Sequence, residues 1–376
     1  MKTSLETPIP LLDLALVHGP LAEELARDFA RVLRSGQFIL GPEHDAFERE
    51  LAEASRVKHA VGLSSGTAAL SIALLALGLE PGDEVIVPAF TYFASASAVT
   101  SICGVPRFVD VELERLGLDP ARVEAAINPP TRAIMAVHLY GLSCELDPLL
   151  SIGRKHGVPV LEDAAQAIGA DDRGRPVGSE TAAATLSFFP TKNLGGLGDG
   201  GALLTNDDAL ASRVKLLRVH GDVGSYRHEI LGTNARLDAL QAAFLRTKLR
   251  HLPAWTETRR ALAARYRSAL TGSPITLPPD PESARHTYHQ FTIRAPKRDA
   301  LAAHLKDRGI ATRIYYPIIV PAQPAFASLG YKPGDHPISE RLADEVLSLP
   351  VYPGLTEEQV DRVAREIRAF YGEGSS

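Results

Sequence analysis

Between residues 59 and 163 the chain repeats a short apolar run, a small polar turn and a stretch of helical period, and this repetition limits the fold more than any other feature. His59 to Leu63, Glu84 to Pro88, Arg107 to Val111, Arg132 to Leu139 and Val158 to Leu161 read as strands. Helices are predicted for the Ala- and Leu-rich run ending at Gly78, and over Tyr92 to Ile102, Asp119 to Ile127 and Leu146 to His156. Such units build a mostly parallel sheet covered by helices, with ligands beyond the carboxyl ends of its strands. Thr67, Tyr92, Asp110, His138, Asp163 and Lys192 all fall at or just after such ends.

Two helices precede this pattern, one from the spacing of Leu21, Leu25, Phe29 and Val32 up to Ser35-Gly36, the other marked by Phe47, Leu51 and Ala54. After Thr205, helices are expected over Ala209 to Arg218, Arg236 to Leu252 and Trp255 to Leu270. Beyond the prolines at 274 and 278 to 281, a second alternation runs through a strand at Tyr288 to Arg294, a helix at Asp299 to Gly309 and a strand at Arg313 to Tyr316. Helices near Ser339 to Leu347 and Glu357 to Phe370 complete it. The expected division is a large α/β/α domain over residues 1–250, N-terminal helices included, and a smaller C-terminal α+β domain over 251–376. A net charge of −5 offers no basic field for nucleic acid or an anionic membrane, so an anionic ligand needs a local site. The apolar run from Ala68 to Leu79 is shorter than the roughly 20 residues of a membrane span, and Met1 to Glu6 lacks the apolar core of a signal peptide. Two cysteines, Cys103 and Cys144, are too few for a disulfide framework or an iron-sulfur cluster, and fit a reducing, cytoplasmic setting. No His or Cys spacing reads as a metal site.

Ser187 to Gly201 holds one lysine, Lys192, between an apolar strand end and Gly195, Gly196, Gly198, Gly200 and Gly201. Buried there, it can lose its proton and attack a carbonyl as a free amine; the other reading is a strand followed by a flexible turn. Pyridoxal phosphate asks a protein for such a lysine, a carboxylate for the ring nitrogen, donors for the phosphate and a flat group against the ring. Asp163 suits the carboxylate, unless it caps a following helix. Ser65-Gly66-Thr67 and Ser187 can supply donors, although Ser65 or Thr67 can equally be a plain helix cap. Tyr92 can stack, or belong to the core. His138 ends a buried strand, where a satisfied core histidine is commoner than a catalyst, and it stays a pocket-lining candidate for substrate.

Five segments closely resemble the DegT/StrS family of nucleotide-sugar aminotransferases, in that family's order: Ser65-Gly66-Thr67-Ala68-Ala69-Leu70, His138-Leu139-Tyr140-Gly141, Glu162-Asp163-Ala164-Ala165-Gln166, Ser187 to Gly195, and Asn234-Ala235-Arg236-Leu237-Asp238. The resemblance implies a fold type I pyridoxal-phosphate enzyme, a homodimer with active sites at the subunit boundary. By position it makes Lys192 the Schiff-base lysine and Asp163 the partner of the pyridine nitrogen. Gln166 then lies near the ring hydroxyl, Ser187, Gly66 and Thr67 hold the phosphate, and Tyr92 stacks. Asn234 reaches the phosphate from the neighbouring subunit and Arg236 approaches the nucleotide-sugar; without the resemblance they read as a helix cap and a surface charge. The implied reaction moves an amino group from L-glutamate to a nucleotide-linked keto-sugar in amino-sugar and polysaccharide biosynthesis. A 3-keto, UDP-linked N-acetylated sugar is favoured over a 4-keto one. Many relatives carry His-Tyr-Pro and a further histidine where this chain has Arg313 to Pro321, so family sugar contacts do not carry over there, and Tyr316 is a candidate contact in their place. A regulatory relative that binds cofactor or nucleotide-sugar without turnover is the reading from another class.

Overall fold

Each strand of the main sheet carries apolar side chains on both faces, as a sheet covered on two sides requires. Val85 and Val87 pack with Leu70, Leu74, Val99 and Val214, whereas Ile86 between them packs with Ile134, Leu149 and Ile152. The computed structural model describes residues 7–372; the opening Met1 to Glu6 therefore lies outside the described residues. The seven strands lie in the order His59–Leu63, Gly201–Thr205, Ala183–Ser187, Val160–Asp163, Thr131–Val137, Glu84–Pro88 and Val105–Val109. All run in one direction except Gly201–Thr205, which is antiparallel to both neighbours. Gly201 pairs with Leu63 on one side and Ser187 on the other, so the ends of those two strands stand together.

A second apolar cluster joins Tyr266, Phe291, Leu301, Leu305, Leu347 and Ile367, from the helices Leu252–Leu270, Arg298–Asp307 and Glu357–Phe370 and the strand pair Phe291–Arg294 and Val346–Leu349. Ile9 belongs to it as well. Its N–H donates to the Gly309 carbonyl at 2.8 Å and its carbonyl accepts from the Ala311 N–H at 2.9 Å, so this N-terminal stretch sits with the C-terminal cluster and not with the unit the sequence placed it in. The strand expected at Arg313 to Tyr316 does not form: only Arg313 bridges, to Ser348, and the pairing stops there. Val346–Leu349, expected as the end of a helix, is the pairing strand.

Asp110, a candidate site residue by position, is 1% exposed and caps another helix. Its carboxylate accepts from the backbone N–H of Ile338 at 2.9 Å and of Ser339 at 2.8 Å, at the start of Pro337–Glu345. That contact ties the main sheet to the C-terminal helices. Asp110→Ala leaves those donors buried and unpaired, and denaturant unfolding of the variant is expected to show about 2 kcal/mol less stability.

Candidate active site

Lys192 stands on a turn whose backbone N–H donates to the Phe189 carbonyl at 2.8 Å, and the residues after it are anchored. Leu194 is fully buried, and Asn193 donates to the Thr287 carbonyl at 3.1 Å. Gly195 is obligatory: a Cβ there would lie 2.2 Å from the Pro190 carbonyl oxygen. The Gly195 carbonyl in turn accepts from Lys248, a lysine only 1% exposed whose Nζ also lies 2.9 Å from His18 Nε2. The loop around Lys192 is thus held by buried polar contacts. Burial pulls the Lys192 amine down to about 8, with the nearby Asp163 charge opposing the shift. The sign is simple: lowering the pKa enlarges the fraction of free amine at neutral pH. With a value of about 8, roughly a tenth of the amine is free at pH 7 and about nine-tenths at pH 9. Capture of pyridoxal phosphate by the cofactor-free protein, followed by stopped-flow absorbance, is therefore expected to speed up about ten-fold from pH 7 to 9 and then level off. A rate still climbing steeply above pH 10 would mean an unperturbed lysine.

At the same edge of the sheet, just past the end of His59–Leu63, Ser65 is the N-cap of the helix Gly66–Ala76, its Oγ accepting from the Ala68 N–H at 3.0 Å. The cap reading holds, and it does not exclude the other, because the cap leaves the N–H groups of Gly66 and Thr67 with no carbonyl behind them. Ser187 adjoins them so closely that a Cβ on Gly66 would lie 2.8 Å from the Ser187 Cβ. Two free helix-start amides and the Ser187 hydroxyl thus lie in one neighbourhood.

Asp163 is 5% exposed, at the end of Val160–Asp163. Its Oδ2 accepts from Ser95 Oγ at 2.7 Å, which lies 2.9 Å from Thr91 Oγ1, and its Oδ1 accepts from the Ala165 N–H at 3.2 Å. No helix starts after it, so the helix-cap reading falls. Tyr92 is 56% exposed, which removes it from the core; its ring centroid stands 5.8 Å from that of Tyr316. Gln166 joins the group, accepting from the Tyr140 N–H at 2.7 Å and donating to the Tyr316 hydroxyl at 3.0 Å. Burial raises the Tyr316 phenol well above its ordinary range, so it stays a neutral hydroxyl.

His138 requires a correction. It is fully buried, its Nδ1 accepting from the Cys144 N–H at 3.1 Å and its Nε2 lying 2.6 Å from Glu162 Oε2. With both ring nitrogens engaged it offers nothing to a substrate, and its work is to hold Glu162 beside Asp163. Asn234 is exposed and Arg236 half-buried, and the side chain of neither has a hydrogen bond or ion pair among the described residues. Asn234 is no helix cap, since the next helix, Ala239–Leu249, begins beyond Asp238. Arg236 bridges Leu63 through its backbone, next to the Gly66 amides. Sequence reasoning missed Ser95 and Lys248, neither of which carries a local signal, and Asn193, which lies in the Lys192 segment. His44, Asp45 and Glu48 stand close enough to share a cation, yet Arg218 already lies 2.5 Å from Glu48.

The residues present fit pyridoxal phosphate: a lysine of low pKa, a buried acid at a strand end, free helix-start amides beside a serine for a phosphate, and an exposed ring. The comparisons agree. The profile of the DegT/DnrJ/EryC1/StrS aminotransferase family matches residues 20–368. A Geobacillus stearothermophilus protein named a pleiotropic regulatory protein is 48% identical over 96% of this chain and 98% of its own. The UDP-N-acetyl-3-dehydro-alpha-D-glucosamine 3-aminotransferase of Acidithiobacillus ferrooxidans is 45% identical over 96% and 98%. The crystal structure of Streptomyces venezuelae DesV in complex with a ketimine intermediate superposes with a TM-score of 0.95 at 45% identity, covering 97% of this chain and 99% of that one. Fold, lysine site and relatives converge: the chain belongs to the DegT/DnrJ/EryC1/StrS family and is a pyridoxal-phosphate-dependent aminotransferase.

Proposed function

We propose that this aminotransferase moves the amino group of L-glutamate to the keto carbon of a nucleotide-diphosphate-linked sugar, with a UDP-linked, N-acetylated 3-keto sugar as the favoured acceptor. The observation that carries the reading is an amine of pKa about 8, Lys192, next to the buried acid Asp163 at the mouth of the sheet. When bound, the cofactor supplies an electron sink for the carbon that loses or gains the nitrogen. Asp163 would hold the ring nitrogen in its protonated form, kept in place by Ser95. Ser187 and the Gly66 and Thr67 amides would hold the phosphate, and Tyr92 would cover one ring face. Lys192 Nζ, once free, moves the proton to or from the reacting carbon, which its low pKa allows near neutrality. The Acidithiobacillus relative's name supports the 3-keto position, as do the Asn234-Ala235-Arg236-Leu237-Asp238 and His138-Leu139-Tyr140-Gly141 segments, which resemble members acting on 3-keto sugars. The regulatory name of the Geobacillus relative, like the sensory-transduction name of a Saccharopolyspora erythraea relative, favours a binder, but a protein that only binds needs neither Lys192 nor Asp163.

A homodimer with shared sites is supported by the loop before Asn234, where Tyr226 is 94% and Leu231 98% exposed, as apolar groups awaiting a partner would be. A second copy would bring Asn234 to the phosphate, and Arg236 would approach the sugar. The two apolar clusters support a division near residue 250, with Ile9 and Leu12 crossing one way and Val320 and Phe326 the other. Two unpaired cysteines, and the absence among the described residues of any helix long and apolar enough to cross a membrane, support a cytoplasmic setting. UDP- and dTDP-linked 3-keto and 4-keto sugars, offered with L-glutamate and the products identified by mass and NMR, test the assignment. Exclusive turnover of a 4-keto sugar overturns the 3-keto choice.

A further inference from the structure

Next to Lys192, on the side of the C-terminal cluster, is a cavity of about 250 Å³ walled by Thr191, Arg259, His289, Gln290, Arg313 and Tyr315 among others. No aspartate or glutamate lines it. Arg259 is 4% exposed and spends one guanidinium nitrogen on the carbonyls of Tyr288, His289 and Val351, while its Nε has no partner. Arg313 lies over the Tyr315 ring, its Cζ 5.8 Å from the centroid. Neither arginine pairs with a carboxylate among the described residues, although most arginines of this chain do. Two guanidinium groups around an acid-free cavity give a site that favours an anion, and for Arg259, the buried one, the missing counter-charge is costly until an anion arrives. A guanidinium fork matches a carboxylate in two hydrogen bonds. The site also sits in the right place: Thr191 is the residue before Lys192, and His289 is close enough to feel the Lys192 charge.

We propose that this cavity receives a carboxylate of the amino donor, with Arg313 as its ion-pairing partner and Arg259 as fixed positive charge behind it. The inference rests on the transamination reading and names where its acidic donor is held. It accounts for an arginine at the head of the segment that lacks the family's histidines.

The test uses the pyridoxal-phosphate-loaded enzyme and its Arg313→Gln and Arg313→Lys variants. Arg313 is exposed, so the variants are expected to fold. L-glutamate is titrated in the donor half-reaction, read by loss of the visible cofactor band, and binding of glutarate is measured by calorimetry as a readout independent of turnover. The expected result for Arg313→Gln is an apparent Kd for both acids raised at least ~10-fold, with Arg313→Lys in between. The fall in the sugar half-reaction, started from the pyridoxamine-loaded enzyme, is expected to be at least ~10-fold smaller than the fall with glutamate. Wild-type affinity for glutamate and glutarate in Arg313→Gln, or an equal loss in the sugar half-reaction, overturns the subsite while leaving the aminotransferase reading in place. A wild-type enzyme inert toward every acidic donor overturns both.

Discussion

Replacing Lys192 by alanine is expected to lower kcat by at least ~10⁴-fold and, in the same step, to remove the visible absorbance that the lysine-cofactor bond gives. Both losses follow from one atom. Lys192 Nζ is the amine whose pKa burial has pulled to about 8, and in the proposed reaction it would be the base beside the reacting carbon. The fold should survive, because Leu194 and Asn193 anchor the loop independently of the lysine side chain. The measurement is steady-state turnover with L-glutamate and the identified sugar, alongside an absorbance spectrum of the purified variant. A variant that retained full activity would end the assignment of Lys192, whatever its spectrum.

Asp163→Asn is expected to separate what Lys192→Ala removes together. The amide keeps the shape and the hydrogen bond with Ser95 but loses the negative charge that would hold the ring nitrogen protonated. Without that charge the electron sink weakens, and the donor half-reaction should slow by about 10³-fold, the scale of a lost buried electrostatic contact. Lys192 is intact, so the visible band should remain and the protein should still be yellow. Rapid-mixing rates with L-glutamate, compared at equal cofactor occupancy, decide the matter. An Asp163→Asn enzyme as fast as wild type would place the ring nitrogen elsewhere and make Asp163 a structural acid, held by Ser95 and the Ala165 N–H alone.

Much of the main sheet could be read from the chain because its strands are self-contained signals. His59–Leu63 and Glu84–Pro88 are apolar runs bounded by turn residues, and the sequence places both at their observed limits. Leu146–His156 and Glu357–Phe370 were equally legible, one ending at Gly157 and the other opening with a capping box at Thr356 and Gln359. Strands made by tertiary pairing were harder. Val346–Leu349 continues the spacing of Leu342 and so reads as helix, and only Phe291–Arg294 across from it makes it a strand. Arg313 to Tyr316 is aromatic and branched enough to look extended, but a single bridge to Ser348 is all that reaches it.

The site divides along the same line. Lys192 and Asp163 were visible because strand ends mark them, and Gly66 because a strand, a polar turn and a helix start follow in order. Ser95 was invisible: it lies 68 residues from Asp163 in sequence and meets it only through the parallel sheet. Lys248 is 53 residues from Gly195 and sits in a helix where a lysine reads as solvated. His138 was open to two readings, and the carboxylate of Glu162, 24 residues away, decides for the buried one.

The most direct test of the whole account is a pair of single-turnover half-reactions on the wild-type enzyme. L-glutamate should discharge the visible band and release one 2-oxoglutarate per Lys192, and a nucleotide-linked 3-keto sugar should then restore the band and carry away the nitrogen. A protein that is yellow but leaves glutamate untouched would contradict it, and would make this chain a binder with an unused active site.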